Sequence, residues 1–145
     1  MPSVSSYLFA QPPVGDAPTR AQTTDGFYIS WKEHLIDDPT ISGVPFSGSD
    51  GLVMADLDRD GFDDIVSVHE SDSNYDSTRP GDTPPAMGHV RIAFGTDDPD
   101  EWVNVTLAEG AEASAAEDAA IADVNGDGFP DIMVAAELSH LIYFQ

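Results

Sequence analysis

The sequence predicts an all-β protein of short antiparallel strands, built on a repeated four-strand unit. Three observations predict it. From Phe27 onward, short apolar runs rich in Val, Ile, Tyr and Phe alternate with Gly, Pro, Asp and Ser clusters. Apolar residues at helical spacing are hard to find over any ten consecutive residues. And "ADLDRDGFDDIV", beginning at Ala55, returns as "ADVNGDGFPDIM" at Ala122, 67 positions later.

In chain order, residues 1 to about 25 are rich in Ser, Pro, Thr and Gln without periodicity, and read as a flexible lead-in. Strands are predicted at "FYISWKEHLI", "GLVMAD", "DIVSVHE", "HVRIAFG", "EWVNVTLA", "DAAIAD", "DIMVAAE" and "HLIYFQ". The segment "LAEGAEASAAEDAAIAD" has helix-favouring Ala and Glu. Gly110 and the repeat alignment assign it instead to a loop entering a strand.

The 67-residue offset pairs Asp50 with Glu117, Met54 with Ile121, Ile65 with Ile132 and Glu70 with Glu137. "GHVRIAFG" matches "SHLIYFQ" with one residue missing, and "WKEHLI" from Trp31 resembles "WVNVTL" from Trp102. Each repeat then has strand A before the acidic cluster, B after it, C at the "IAF/IYF" run and D at the Trp run. The repeat region is 26–145, with units at about 51–108 and 118–145 and the last strand of a preceding unit at about 27–36. A final apolar strand without a partner D leaves an open edge, as expected of a fragment of a longer array or of a protomer that completes its sheet by assembly.

Numbered from its first Asp, the first acidic loop has Asp56, Asp58, Asp60 and Asp64 at positions 1, 3, 5 and 9, and the second has Asp123, Asn125, Asp127 and Asp131. Carboxylates converging at this density repel one another unless a cation sits among them. A hard divalent ion that takes six to eight oxygens at about 2.3–2.6 Å fits the set, and Ca²⁺ fits better than Mg²⁺, which keeps more of its water. Gly61 and Gly128 at position 6 let the chain wrap, and the carbonyls of Phe62 and Phe129 are expected as position-7 ligands. An EF-hand loop closes with Glu at position 12 before a helix. Here position 12 is Ser67 or Val134, and a β-branched strand follows position 9. Two Ca²⁺ sites are expected, each stapling an A–B hairpin.

Composition narrows the partners. Against 27 Asp and Glu stand Arg20, Lys32, Arg59, Arg79 and Arg91, for a formal net charge of −22. That field and the lack of a basic stripe exclude nucleic acid and anionic membrane surfaces. No stretch approaches the roughly 20 apolar residues of a membrane helix. A soluble chain without membrane insertion is expected. The opening "MPSVSSYLFAQPPVGDAPTR" lacks a cationic leader, so no signal peptide is read there. With no Cys, disulfides and thiol chemistry are excluded.

The paired "MADLDRDGFDDIVSV" and "IADVNGDGFPDIMVA" motifs, each in a unit with a Trp-bearing last strand, resemble the FG-GAP/VCBS repeats of integrin α-subunit heads and of bacterial surface and secreted proteins. The resemblance implies a partial β-propeller of about two four-stranded antiparallel blades, with a calcium loop between strands A and B of each. It also implies an extracellular, cell-surface or periplasmic setting and a binding or scaffold role, not an enzymatic one. Two blades are short of a closed ring, which in such folds takes four to eight, usually about seven.

Alternation of strand direction places the B–C connections on one face. The first is the polar, Pro-rich insert of residues 71–88, with Tyr75, where a protein or carbohydrate ligand is expected. Glu70 and Glu137 end strand B while His89 and His140 begin strand C, which predicts a recurring cross-strand Glu–His contact instead of a catalytic centre. Trp31 and Trp102 are expected to pack, and His34 to lie on a strand surface. A carbohydrate-active propeller, lectin or polysaccharide lyase, and a purely structural spacer are the alternative readings.

Overall fold

The computed structural model describes residues 17–26, 28–71, 87–137 and 140–145. Phe27, Tyr75 and residues 72–86 of the predicted recognition insert lie outside the described residues. The chain divides into two units, Met1–His34 and Leu35–Gln145.

In the first unit, β1 (Ala17–Gln22) pairs antiparallel with β2 (Tyr28–Trp31), in the register Ala17↔Trp31 and Gln22↔Tyr28. The connecting turn places Gly26 at φ 90°, with its N–H donating to the Thr23 carbonyl at 3.0 Å. A strand thus occupies part of the stretch read as a lead-in: "APTRAQ" has no alternation to announce it, and its order comes from pairing. The strand predicted over "FYISWKEHLI" extends only through Trp31, and its partner is β1. His34 follows in irregular chain, off any strand.

In the second unit the chain first forms one helical turn, α1 (Pro39–Ser42). Asp38 caps it, accepting from the Thr40 and Ile41 N–H groups at 2.7 and 2.6 Å. Gly43, at φ 71°, ends it by donating to the Pro39 carbonyl. Asp-Pro at the start and Gly after the end are the usual start and stop signals.

Two antiparallel sheets follow. The first runs β3 (Ser49–Ala55), β4 (Asp64–His69), β5 (Gly88–Phe94) and β6 (Val103–Gly110), in that spatial order. A 3₁₀ turn at Ala111–Ala113 leads to the second, of β7 (Ala116–Ala122), β8 (Asp131–Ala136) and β9 (His140–Phe144). These are the A-to-D and A-to-C strands that the repeat predicts, and the Ala-rich segment is a turn entering a strand. The unit is all-β, an open pair of propeller-like blades.

Alternation sets the core. On the first sheet Val66, Val68, Val90 and Ile92 share one face and are buried against Ala116, Ala119, Ile132 and Val134 of the second. The closest approach is at Gly51, where a Cβ would stand 2.9 Å from the Asp118 Cα and the Glu117 carbonyl oxygen. Only a residue without a side chain admits β7 there.

The opposite face of the first sheet is covered toward its outer edge by the chain from Ile36 to Phe46. Arg91, itself buried, donates Nε–H to Asp37 Oδ2 at 2.7 Å, bonds Thr106 Oγ1 and lies over the Phe46 ring at 5.1 Å. Asn104 Nδ2 donates to the Ile36 carbonyl at 3.1 Å. This cover closes over β5, so Arg91 fills a core position that alternation alone would give to an aliphatic residue.

Candidate metal centre

Both acidic loops close where strand A meets strand B, at the pairs Ala55↔Asp64 and Ala122↔Asp131. The equivalent side chains then repeat four hydrogen bonds. Asp56 and Asp123 accept, through Oδ2, from Gly61 and Gly128 N–H at 3.1 and 2.9 Å. Asp58 and Asn125 accept from the N–H of Asp60 and Asp127 at 3.1 and 2.8 Å. Asp60 and Asp127 accept from Phe62 and Phe129 N–H, each at 2.9 Å. Asp64 and Asp131 accept from Leu57 and Val124 N–H at 2.7 and 2.8 Å. Gly61 and Gly128, at φ 96° and 87°, make the turn these bonds require. Each loop thus folds back on its own side chains, which accept from its backbone N–H groups.

In the first loop this brings carboxylate oxygens of Asp56, Asp58 and Asp64 within 4.8 Å of one another. Asp56 Oδ1 is buried and has no hydrogen-bond partner among the described residues. A buried anionic oxygen without a donor is strongly unfavourable. A cation at the carboxylate trio satisfies it, so the residues fit a hard divalent ion. Asp60 stands outside that trio. The second loop has Asn125 in place of Asp58, hence one carboxylate fewer. There Asp123 Oδ1 accepts from Gly126 and Asp127 N–H at 2.7 and 3.0 Å, and Asn125 Nδ2 donates to Asp127 Oδ2 at 2.9 Å. The Phe129 N–H, then the Asn125 amide, hold the Asp127 carboxyl below its ordinary pKa, so it is ionised at neutral pH. The rings of Phe62 and Phe129 are exposed.

Sequence reasoning missed the link between the loops. Arg59, at position 4 of the first, lies over the Phe129 ring at 4.1 Å and bonds the Gly128 carbonyl. No spacing rule announces it, because it depends on how the sheets stack.

The family model of the FG-GAP repeat matches residues 115–139, the segment from the start of β7 through the second loop and β8. No curated protein and no solved structure shows a match to the chain. The first loop lies outside the matched FG-GAP residues, yet repeats the same hydrogen bonds at the same offset.

At the far end of strand B the register does not pair Glu70 with His89 or Glu137 with His140. The register sets His69 opposite His89, and His140 opposite Ala136, with its Nε2 at 3.0 Å from the Glu112 carbonyl oxygen. His69 Nδ1 and Nε2 bond Ser49 and Ser67 Oγ, each at 2.9 Å, under the Phe46 ring at 4.4 Å. Burial first, then the charges of His89 and Arg91, push the His69 pKa down to about 4. The glutamates go elsewhere: Glu70, Glu117 and Glu137 bring carboxylate oxygens within 4.8 Å of one another across the blade junction. Desolvation first, then a hydrogen bond with Glu70 and the charges of Glu137, Glu70 and Asp50, raise the Glu117 pKa to about 7. The offset pairs Asp50–Glu117 and Glu70–Glu137 were the available signal, since stacked repeats bring equivalent strand ends together.

Trp102 is half-buried, its Nε1–H donating to the Pro99 carbonyl at 2.9 Å, as a packing residue should be. Trp31 is not: it is 68% exposed.

Proposed function

We propose that the chain is a calcium-stabilised module of β-propeller type serving as a binding or scaffold domain of a larger extracellular or surface protein, with no catalytic role. The observation that carries the reading is the partnerless, buried Asp56 Oδ1 at the Asp56–Asp58–Asp64 trio. In this reading Asp56, Asp58, Asp60 and Asp64 with the Phe62 carbonyl hold one ion, and Asp123, Asn125, Asp127 and Asp131 with the Phe129 carbonyl hold another. The ions' part is structural. Each relieves carboxylate repulsion, pins the A–B hairpin and couples binding to folding. Sites of this kind in extracellular modules fill at Kd on the order of 10⁻⁴–10⁻³ M, where calcium is abundant.

Equilibrium dialysis with radioactive calcium tests it. The wild-type chain is expected to take up two ions, and Asp58→Ala and Asn125→Ala one each. Uptake unaffected by either substitution would remove the loops as the sites.

A further inference from the structure

Arg59 stands at a backbone position better suited to another residue. It is position 4 of the first loop, with φ 67°, in the left-handed region that favours glycine. The offset of 67 equates it with Gly126 of the second loop, at φ 78°. Glycine takes that conformation without strain, so an arginine there carries a cost that its side chain has to offset.

That side chain leaves its own loop. The guanidinium lies over the Phe129 ring at 4.1 Å and donates from Nη2 to the Gly128 carbonyl. The same peptide unit presents the Phe129 N–H, which donates to Asp127 Oδ1 at 2.9 Å. Guanidinium to carbonyl and N–H to carboxylate are bonds in series, each polarising the other. Arg59 thereby fixes the peptide that orients Asp127, and the next carbonyl along is the one expected at position 7. At its other end Arg59 sits between Asp60 and Asp58, a member of the carboxylate trio. The second loop gains more from outside support, having Asn125 in place of Asp58. Both Asp123 oxygens already accept from its own backbone, Oδ1 from Gly126 and Asp127 and Oδ2 from Gly128.

We infer that Arg59 is a positioning residue that couples the two loops, so that an ion held in the first raises the affinity of the second for its own. The inference rests on the calcium reading of both loops. An ion at the Asp56–Asp58–Asp64 trio fixes Asp58, and with it the left-handed turn at Arg59. The guanidinium is then already placed on the Gly128–Phe129 peptide, and less ordering remains for the second ion to impose. By linkage the second ion strengthens the first to the same degree. The charge of Arg59 opposes a cation in the second loop. Because Arg59 is exposed, salt screens that repulsion, while the hydrogen bond and ring contact persist.

A calcium titration at about 0.15 M salt, followed by ¹H–¹⁵N NMR, reads the loops separately. The reporters are the position-6 amides of Gly61 and Gly128, which donate to Asp56 and Asp123. Asp58→Ala disables the first loop and is expected to weaken the second about fivefold. Arg59→Ala is expected to weaken the second loop by a similar factor while the first still fills, and the double variant to weaken it no further than either alone. Should Asp58→Ala not fold, Phe129→Leu takes its place: it removes the ring, keeps the main-chain carbonyl, and is expected to act as Arg59→Ala does. Effects that multiply in the double variant, or a second-loop affinity that either single variant leaves unchanged, overturn the coupling with two calcium sites still in place. A wild-type chain that binds no calcium overturns the coupling and the proposed function together.

Discussion

Asp56 and Asp64 belong to the same loop and have different tasks. Asp64 is fully buried, and its two oxygens accept from Leu57 N–H and, 31 residues away, from Gly95 N–H at 2.9 Å. Its removal leaves two backbone donors unpaired, each worth about 1–3 kcal/mol. Asp64→Ala is therefore expected to lower the melting temperature with calcium or with chelator alike, whereas Asp58→Ala lowers it in calcium only. Equal behaviour of the two in urea titrations would contradict this division. Spacing made both residues visible as ligands; it could not show that Asp64 also ties the loop to the end of β5, since that bond spans two strands. His69 carries a second residue-scale prediction. Its folded pKa, about 4, lies below the unfolded value near 6.5. The stability it contributes is complete above pH 6.5 and is lost as pH falls toward 4, by an amount on the order of 3 kcal/mol. In His69→Gln that slope is expected to flatten in thermal melts between those pH values.

At the scale of elements, the β-strands of the two blades were legible because turn clusters bound each of them and the offset repeats. What escaped were elements whose cause is non-local or very short. β1 has no pattern of its own, and α1 is four residues fixed by Asp38, Pro39 and Gly43. The register is one position off the expected Glu–His pairing, and Glu70 and Glu137 meet Glu117 at the blade junction. That junction has the opposite pH sign to His69. Glu117 is raised to about 7 from an ordinary 4.5, so the folded state holds a proton the unfolded chain has released. Stability is lost as pH rises from about 4.5 to 7 and stays level above. Glu117→Gln is expected to abolish this fall and to raise the melting temperature at pH 8; a melting temperature unchanged at pH 8 would show that the trio does not strain the junction.

For the whole molecule, the charge balance was readable as a liking for cations and not as their number. Two divalent ions offset only four of the 22 excess negative charges, so most of the acidity is solvated surface. In the proposed reading calcium acts at particular places, unlike a general screening ion. The most direct measurement is thermal unfolding of the chain in chelator, in magnesium and in calcium at one ionic strength. With calcium at ten times Kd, each occupied loop adds about 1.4 kcal/mol, giving a clear rise in melting temperature that magnesium reproduces only weakly. Coincident melting curves in all three solutions would contradict the account.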